Sequence, residues 1–310
     1  MLSSEQISRY KSLDFFARQV VEGFITGRHK SPFHGFSVEF SDYRQYNTGE
    51  STRNIDWHLY GRTDRLYVKQ FEEETNLRCP LLIDQSGSLG FPVARHGDIE
   101  HPNKLTFAVY AAAVLIELLH RQRDAFGLSL FSGTNDLQTP CRSNSLHQHH
   151  LLAELDKLLQ PIDHTSSDTQ HSSLPNFLHL TAEQLHRRSL VVLFTDALVR
   201  TDEQEALFDA LRHLRHNKHE VIIFHTYDLA HEVNLDYSAR PHLFIDLESG
   251  RQLKLQPNEV ADAYRRQMTA LFVDLKQRAM QYRIDYVPVD IAQGFHQILL
   301  PFLLKRSKKQ

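Results

Sequence analysis

Leu81-Leu82-Ile83-Asp84-Gln85-Ser86-Gly87-Ser88-Leu89 belongs to an apolar run, begun after Arg78, that stops abruptly at a carboxylate and continues with a hydroxyl at every second position. The pattern reads as a buried strand opening into a loop of hard oxygen ligands. Gly87 lets the backbone bend without a side-chain clash, so Asp84, Ser86 and Ser88 can turn toward one point beyond the strand. A small divalent cation of the magnesium kind favours such a shell of few carboxylates, neutral oxygens and water. The bland alternative is a strand-end turn in which Asp and Ser satisfy backbone amides.

A second strand, Ser189-Leu190-Val191-Val192-Leu193-Phe194-Thr195-Asp196, also ends in a carboxylate. Between and after the two, strand-like runs (125–131, 220–225, 283–289) alternate with helical periodicity at 104–121, 146–159, 174–188, 202–216, 260–281 and 295–304. Asn103 is placed to cap the first of these helices. Such alternation predicts a doubly wound α/β fold with a mostly parallel sheet flanked by helices. A hairpin is expected from His242–Asp246 and Arg251–Leu255 about Glu248-Ser249-Gly250.

Upstream, residues 12–27 read as an amphipathic helix, and Ser31–Asp56 as an ordered polar loop. Leu66–Phe71 alternates as a strand. Trp57, the single tryptophan, stands beside Asp56 with Arg53 and Arg62 close by, and arginines and acids around one large apolar ring predict a braced ion-pair network, since a partly buried charge needs a partner. The expected organisation is a smaller N-terminal module, residues 1–74, ahead of the sheet domain, 75–310.

Composition excludes several function classes. The chain has 310 residues, 41% hydrophobic and 24% charged, enough for a packed core. Its 35 basic and 38 acidic residues give a formal charge of −3, so no global basic field draws it to nucleic acid. Two cysteines, Cys79 and Cys141, make neither a disulfide framework nor a C-x-x-C pair. No apolar run reaches the roughly 18 residues of a membrane span, and the first residues lack a basic-then-apolar signal pattern. The expectation is a cytoplasmic protein without direct membrane insertion. Twenty histidines raise a zinc possibility, but His147, His149 and His150 lack the spacing of a zinc motif and read as a solvated face. No G-x-S-x-G elbow, glycine-rich phosphate loop or dinucleotide fingerprint is present. A haloacid dehalogenase-type phosphotransferase needs a second Asp two residues after the first, where this chain has Ser86. A non-enzyme is therefore expected.

The D-x-S-x-S of Asp84, Ser86 and Ser88 resembles the metal-ion-dependent adhesion site of von Willebrand factor A domains. Together with Arg44, Tyr46, Gly49-Glu50, Arg53-x-Ile55-Asp56-Trp57 and Arg62-Thr63, it resembles the bacterial domain-of-unknown-function family 58 over roughly residues 20 to 305. Departures are Glu50 where the family usually has Asp and Leu89 where it has Met. The resemblance implies a von Willebrand factor A-like domain binding Mg2+ or Mn2+. Its second loop would supply a hydroxyl, Ser172 by position, with Thr165 and Thr169 also candidates, and its third loop would supply Asp196. It also implies a partner, a MoxR-type AAA+ ATPase or its client, bound through an acidic residue in protein maturation or complex assembly. The Arg44, Tyr46, Gly49, Arg53, Asp56, Trp57 and Arg62 block is then a structural brace or a docking surface. A magnesium-dependent phosphoester hydrolase and a metal-free scaffold are the alternatives.

Overall fold

A computed structural model describes residues 13–26, 40–45, 57–71, 77–131, 136–160, 174–186, 188–198 and 203–307. The chain divides into two compact units, one within Arg28–Asn76 and one joining the N-terminal helix to everything from Leu77 onward. In order, the elements are α1 (Leu13–Thr26), β1 (Phe40–Gln45), α2 (Trp57–Thr63), β2 (Tyr67–Phe71), β3 (Arg78–Asp84) and α3 (Lys104–Arg121). Then come β4 (Ala125–Phe131), β5 (Leu137–Gln138), α4 (Ser145–Lys157), α5 (Leu174–Gln184), β6 (Leu190–Thr195) and α6 (Gln204–His216). The last are β7 (Glu220–Tyr227), β8 (His242–Ile245), β9 (Gln252–Leu255), α7 (Pro257–Gln281), β10 (Asp285–Asp290) and α8 (His296–Ser307).

Within the smaller unit, β1 and β2 form an antiparallel ribbon, Arg44 opposite Val68, with an irregularity between Phe40 and Asp42. This corrects the reading of 31–56 as loop throughout: Phe-Ser-Asp-Tyr-Arg-Gln carries no clean alternation, and its strand state depends on the partner strand. Trp57 opens α2, while Arg53 and Asp56 of the expected ion-pair network lie outside the described residues. The Trp57 ring is 60% exposed, meets Tyr60 edge-on at 6.2 Å, and lies in a helix with no buried residue.

The larger unit is built on a six-stranded sheet in the order β10-β7-β6-β3-β4-β5. All neighbours run parallel except β5, which is antiparallel to β4. β3, β4, β6 and β7 are buried along most of their length, as expected of parallel strands covered on both faces. On one face Leu82, Leu193 and Ile223 pack with Leu178, Leu207, Leu211 and Leu275 of α5, α6 and α7. α3 is apolar almost all round and nearly wholly buried, the pattern of a core helix. Its Phe107 stacks on Phe295 at 4.8 Å, and Phe295 meets Phe16 of α1 at 5.4 Å.

Asn103 caps α3, its side chain accepting from the Thr106 amide at 2.7 Å. α7 starts a turn earlier than its apolar pattern indicates because Pro257 is pre-set for the first helical turn. His147 departs from the solvated-face reading: it is buried, with Nε2 3.1 Å from the Phe126 carbonyl, and burial lowers its pKa. His149 and His150 are exposed. No described helix is long and apolar enough to cross a membrane.

Candidate metal centre

The chain leaves β3, forms β4 on one side of it, and later returns to place β6 on the other. The strand order therefore reverses at β3 and β6, whose carboxyl ends are the usual ligand position in open α/β sheets. The pairing of Ile83 with Phe194 sets Asp84 level with Thr195. The two acidic strand ends are thus neighbours.

Asp84 is buried, 4% exposed. Its Oδ1 accepts from the Ser86 amide at 2.9 Å, and its Oδ2 from the Thr195 hydroxyl at 2.8 Å. Thr195 Oγ1 in turn accepts from the Ala197 amide at 3.0 Å. Ala197 itself is left-handed, φ 51°, a conformation costing a non-glycine residue about 1–2 kcal/mol. The tight turn it makes brings its amide back onto Thr195. The Ser86 and Ser88 hydroxyls lie 3.1 Å apart.

Asp196, 2% exposed, accepts from the Leu198 amide at 3.1 Å and from Lys104 Nζ at 2.8 Å. Lys104 is fully buried at the first position of α3. Its Nζ also reaches Glu232 Oε1 at 2.6 Å. Glu232 belongs to the π-helical turn Leu229–Val233, where its other oxygen accepts from the Asp228 amide at 3.1 Å. Asp228 pairs with Arg95 at 3.3 Å.

These surroundings move the titrations apart. Burial first, then the charge of Asp196, pushes Asp84 from its usual 3.8 up to about 6. Burial would raise Asp196 too, but the Lys104 ammonium, with hydrogen bonds from Lys104 and Ser88, holds it below the usual carboxylate range. Burial would strip Lys104 of its proton, and Asp196 and then Glu232 hold it above the lysine range instead.

Gly87 answers to a neighbour rather than to its own torsions. A Cβ there would stand 2.6 Å from the Leu247 carbonyl oxygen and 3.5 Å from Glu248 Cγ. The turn between β8 and β9 therefore lies directly against the Ser86–Ser88 loop.

The donor set suits a small hard cation. Among the described residues it offers one buried carboxylate whose hydrogen-bond donors are neutral, two adjoining hydroxyls, and a second carboxylate close enough to raise the first. It rests on two acids and hydroxyls; among the described residues no group of three or more His, Cys, Asp or Glu is disposed to hold a metal. Asp84, Ser86, Ser88 and Asp196 are brought together. Thr165, Thr169 and Ser172 lie outside the described residues, as do Tyr46, Gly49, Arg53 and Asp56. Arg44 lies in β1, and Trp57 and Arg62 are exposed in α2. Lys104, Thr195 and Glu232 carried no functional reading in the sequence. The one signal was a lysine straight after a helix cap, where the helix dipole disfavours a cation.

Over residues 42–275 the chain matches the family described as protein of unknown function DUF58. Uncharacterized proteins of Mycobacterium bovis and Mycobacterium tuberculosis are 27% identical to it over 150 residues, 48% of this chain and 45% of theirs. The matched stretch is thus less than half the length of these curated relatives. Similar solved structures include the conserved hypothetical protein BatB from Bacteroides thetaiotaomicron, 14% identical with a TM-score of 0.46, covering 76% of this chain and 100% of that one. Another is an aerotolerance-related membrane protein from Bacteroides fragilis, 15% identical with a TM-score of 0.46, covering 74% of this chain and 99% of that one.

Proposed function

The chain belongs to the DUF58 family, and from that premise we propose that it is a non-enzymatic, von Willebrand factor A-like protein-binding module that recognises an acidic partner through a divalent cation. Asp84, Ser86 and Ser88, with Asp196 close by, would hold Mg2+ or Mn2+. The ion would supply a concentrated positive charge with a position open to a carboxylate of the partner. An incoming Asp or Glu gains far more there than a neutral side chain, which makes recognition acid-selective. The partner we propose is a MoxR-type AAA+ ATPase or its client, met in the cytoplasm during protein maturation or complex assembly.

One observation carries this reading: two buried strand-end acids and two hydroxyls converge where β3 and β6 part from their loops. The hydrogen bonds also fit a binding role. Thr195 and the Ser86 amide fix the Asp84 carboxylate without neutralising it, so its charge stays available to a cation.

The test is calorimetric titration of Mg2+ and Mn2+ into chelator-stripped protein, alongside Asp84→Ala and Ser86→Ala. Saturable binding lost in both variants, with circular dichroism unchanged, is the expected result. Absence of binding by the wild-type protein, or binding undiminished in both variants, overturns the proposal. Steady phosphoester turnover abolished by Asp84→Asn would replace it with a hydrolase.

A further inference from the structure

Lys104 is held where three effects oppose it. Its side chain has no exposure to solvent, and lysine is almost never wholly buried unless paired. It stands at the first position of α3, where the helix dipole repels a cation. It also loses the conformational freedom of a long flexible chain. Two carboxylates offset these costs, Asp196 at 2.8 Å and Glu232 at 2.6 Å, and one of the two is an acid of the candidate centre.

Asp196 is consequently committed. One oxygen receives the ammonium and the other the Leu198 amide. Direct ligation of a dication by the same carboxylate would set two cationic centres a few ångströms apart around a buried acid, where like charges repel strongly. Among the described residues Asp84 has no such engagement, its donors being an amide and a hydroxyl.

We propose that Lys104 is a tethered cation that reserves Asp196, keeping it outside the coordination shell. On the metal-centre reading above, on which this rests, Asp84 is then, among the described residues, the one charged ligand in direct contact, and divalent ions bind more weakly than the donor set alone would allow. The ion's remaining charge is left for the partner's carboxylate. Lys104 thereby sets both the affinity for the ion and the selectivity for an acid.

The test uses Mn2+ calorimetry on the full chain carrying Lys104→Met with Glu232→Gln. Lys104, Asp196 and Glu232 together carry one net negative charge, and so does the doubly substituted trio, so the variant frees Asp196 without changing the charge of the cluster. The result expected is Mn2+ binding tighter by about tenfold or more, the scale on which groups around a metal's ligands act. Glu232→Gln alone leaves Lys104 on Asp196 and is expected not to exceed wild-type affinity. Equal or weaker binding by the folded double variant overturns the tether while the metal reading stands. Silence in wild type and variant alike overturns both. A measurement on Lys104→Met alone guards against misfolding. Mn2+ should raise its melting temperature more than it raises that of the wild type, because the ion takes over neutralising Asp196. An equal rise, or a chain that stays unfolded with Mn2+, overturns the proposal.

Discussion

Replacing Asp84 by asparagine separates the electrostatic cost of the centre from its hydrogen bonds. Burial and the charge of Asp196 raise the folded carboxyl from 3.8 to about 6, so between those values the native protein keeps a proton that the unfolded chain has released. Stability is therefore present at low pH and lost as pH rises through the folded value. The gap corresponds to about 3 kcal/mol in all, of which roughly 2 kcal/mol falls between about pH 4.5 and about pH 7.5. The substituted amide cannot ionise. It keeps an acceptor for the Ser86 amide and loses the one for the Thr195 hydroxyl, an offset that does not vary with pH. His225, lowered to about 4, chiefly by burial, acts in the opposite sense, its contribution being lost as pH falls. The wild-type curve alone is thus nearly flat in these two terms, and the difference between wild type and variant isolates Asp84. Urea unfolding of both chelator-stripped proteins across this range should show the wild type losing about 2 kcal/mol relative to the variant. Saturating Mn2+ should abolish that loss in the wild type only, by favouring the ionised carboxylate. Parallel curves without metal would refute the claim that Asp84 is an uncompensated buried acid.

Three further outcomes follow from the same contacts. Thr195→Val removes the hydroxyl donor from Asp84 and should cost about 1.5–3 kcal/mol at neutral pH, shrinking on acidification; a pH-independent cost would contradict it. Gly87→Ala places a methyl against the Leu247 carbonyl and should cost about 1–3 kcal/mol, with faster hydrogen exchange across 242–255 as its signature. Asn103→Ala loses the α3 cap and the bond from its amide to the Gly90 carbonyl. It should cost about 1–2 kcal/mol in thermal unfolding, and unchanged stability would show the cap to be replaceable.

The sheet was readable in the chain because β3, β6 and β7 are unbroken apolar runs, and the helices between them carry an unmistakable period. The acids of the centre were readable for a local reason also: Asp84 and Asp196 each end such a run. Lys104 was not. Its partners lie 92 and 128 positions away, and a lysine in a first helical turn otherwise reads as an ordinary surface residue. Thr195 looked like one more β-branched strand residue until its register beside Asp84 gave its hydroxyl a partner. Strand β1 was missed because Ser41 and Asp42 break its alternation, and His147 because its helix face is set by packing on β4 rather than by its polar neighbours.

The seat of the Leu247 carbonyl on Gly87 has a consequence for anyone moving this centre to another scaffold. The D-x-S-x-S spelling looks like a portable cassette, five residues for a strand end to accept whole. Here its middle residue is shaped by a hairpin far along the chain, so the loop and segment 242–255 are two halves of one mould. A graft of the loop alone would leave its backbone unsupported on that side, and a graft with any larger residue at 87 would exclude the hairpin. The transferable unit is the pair.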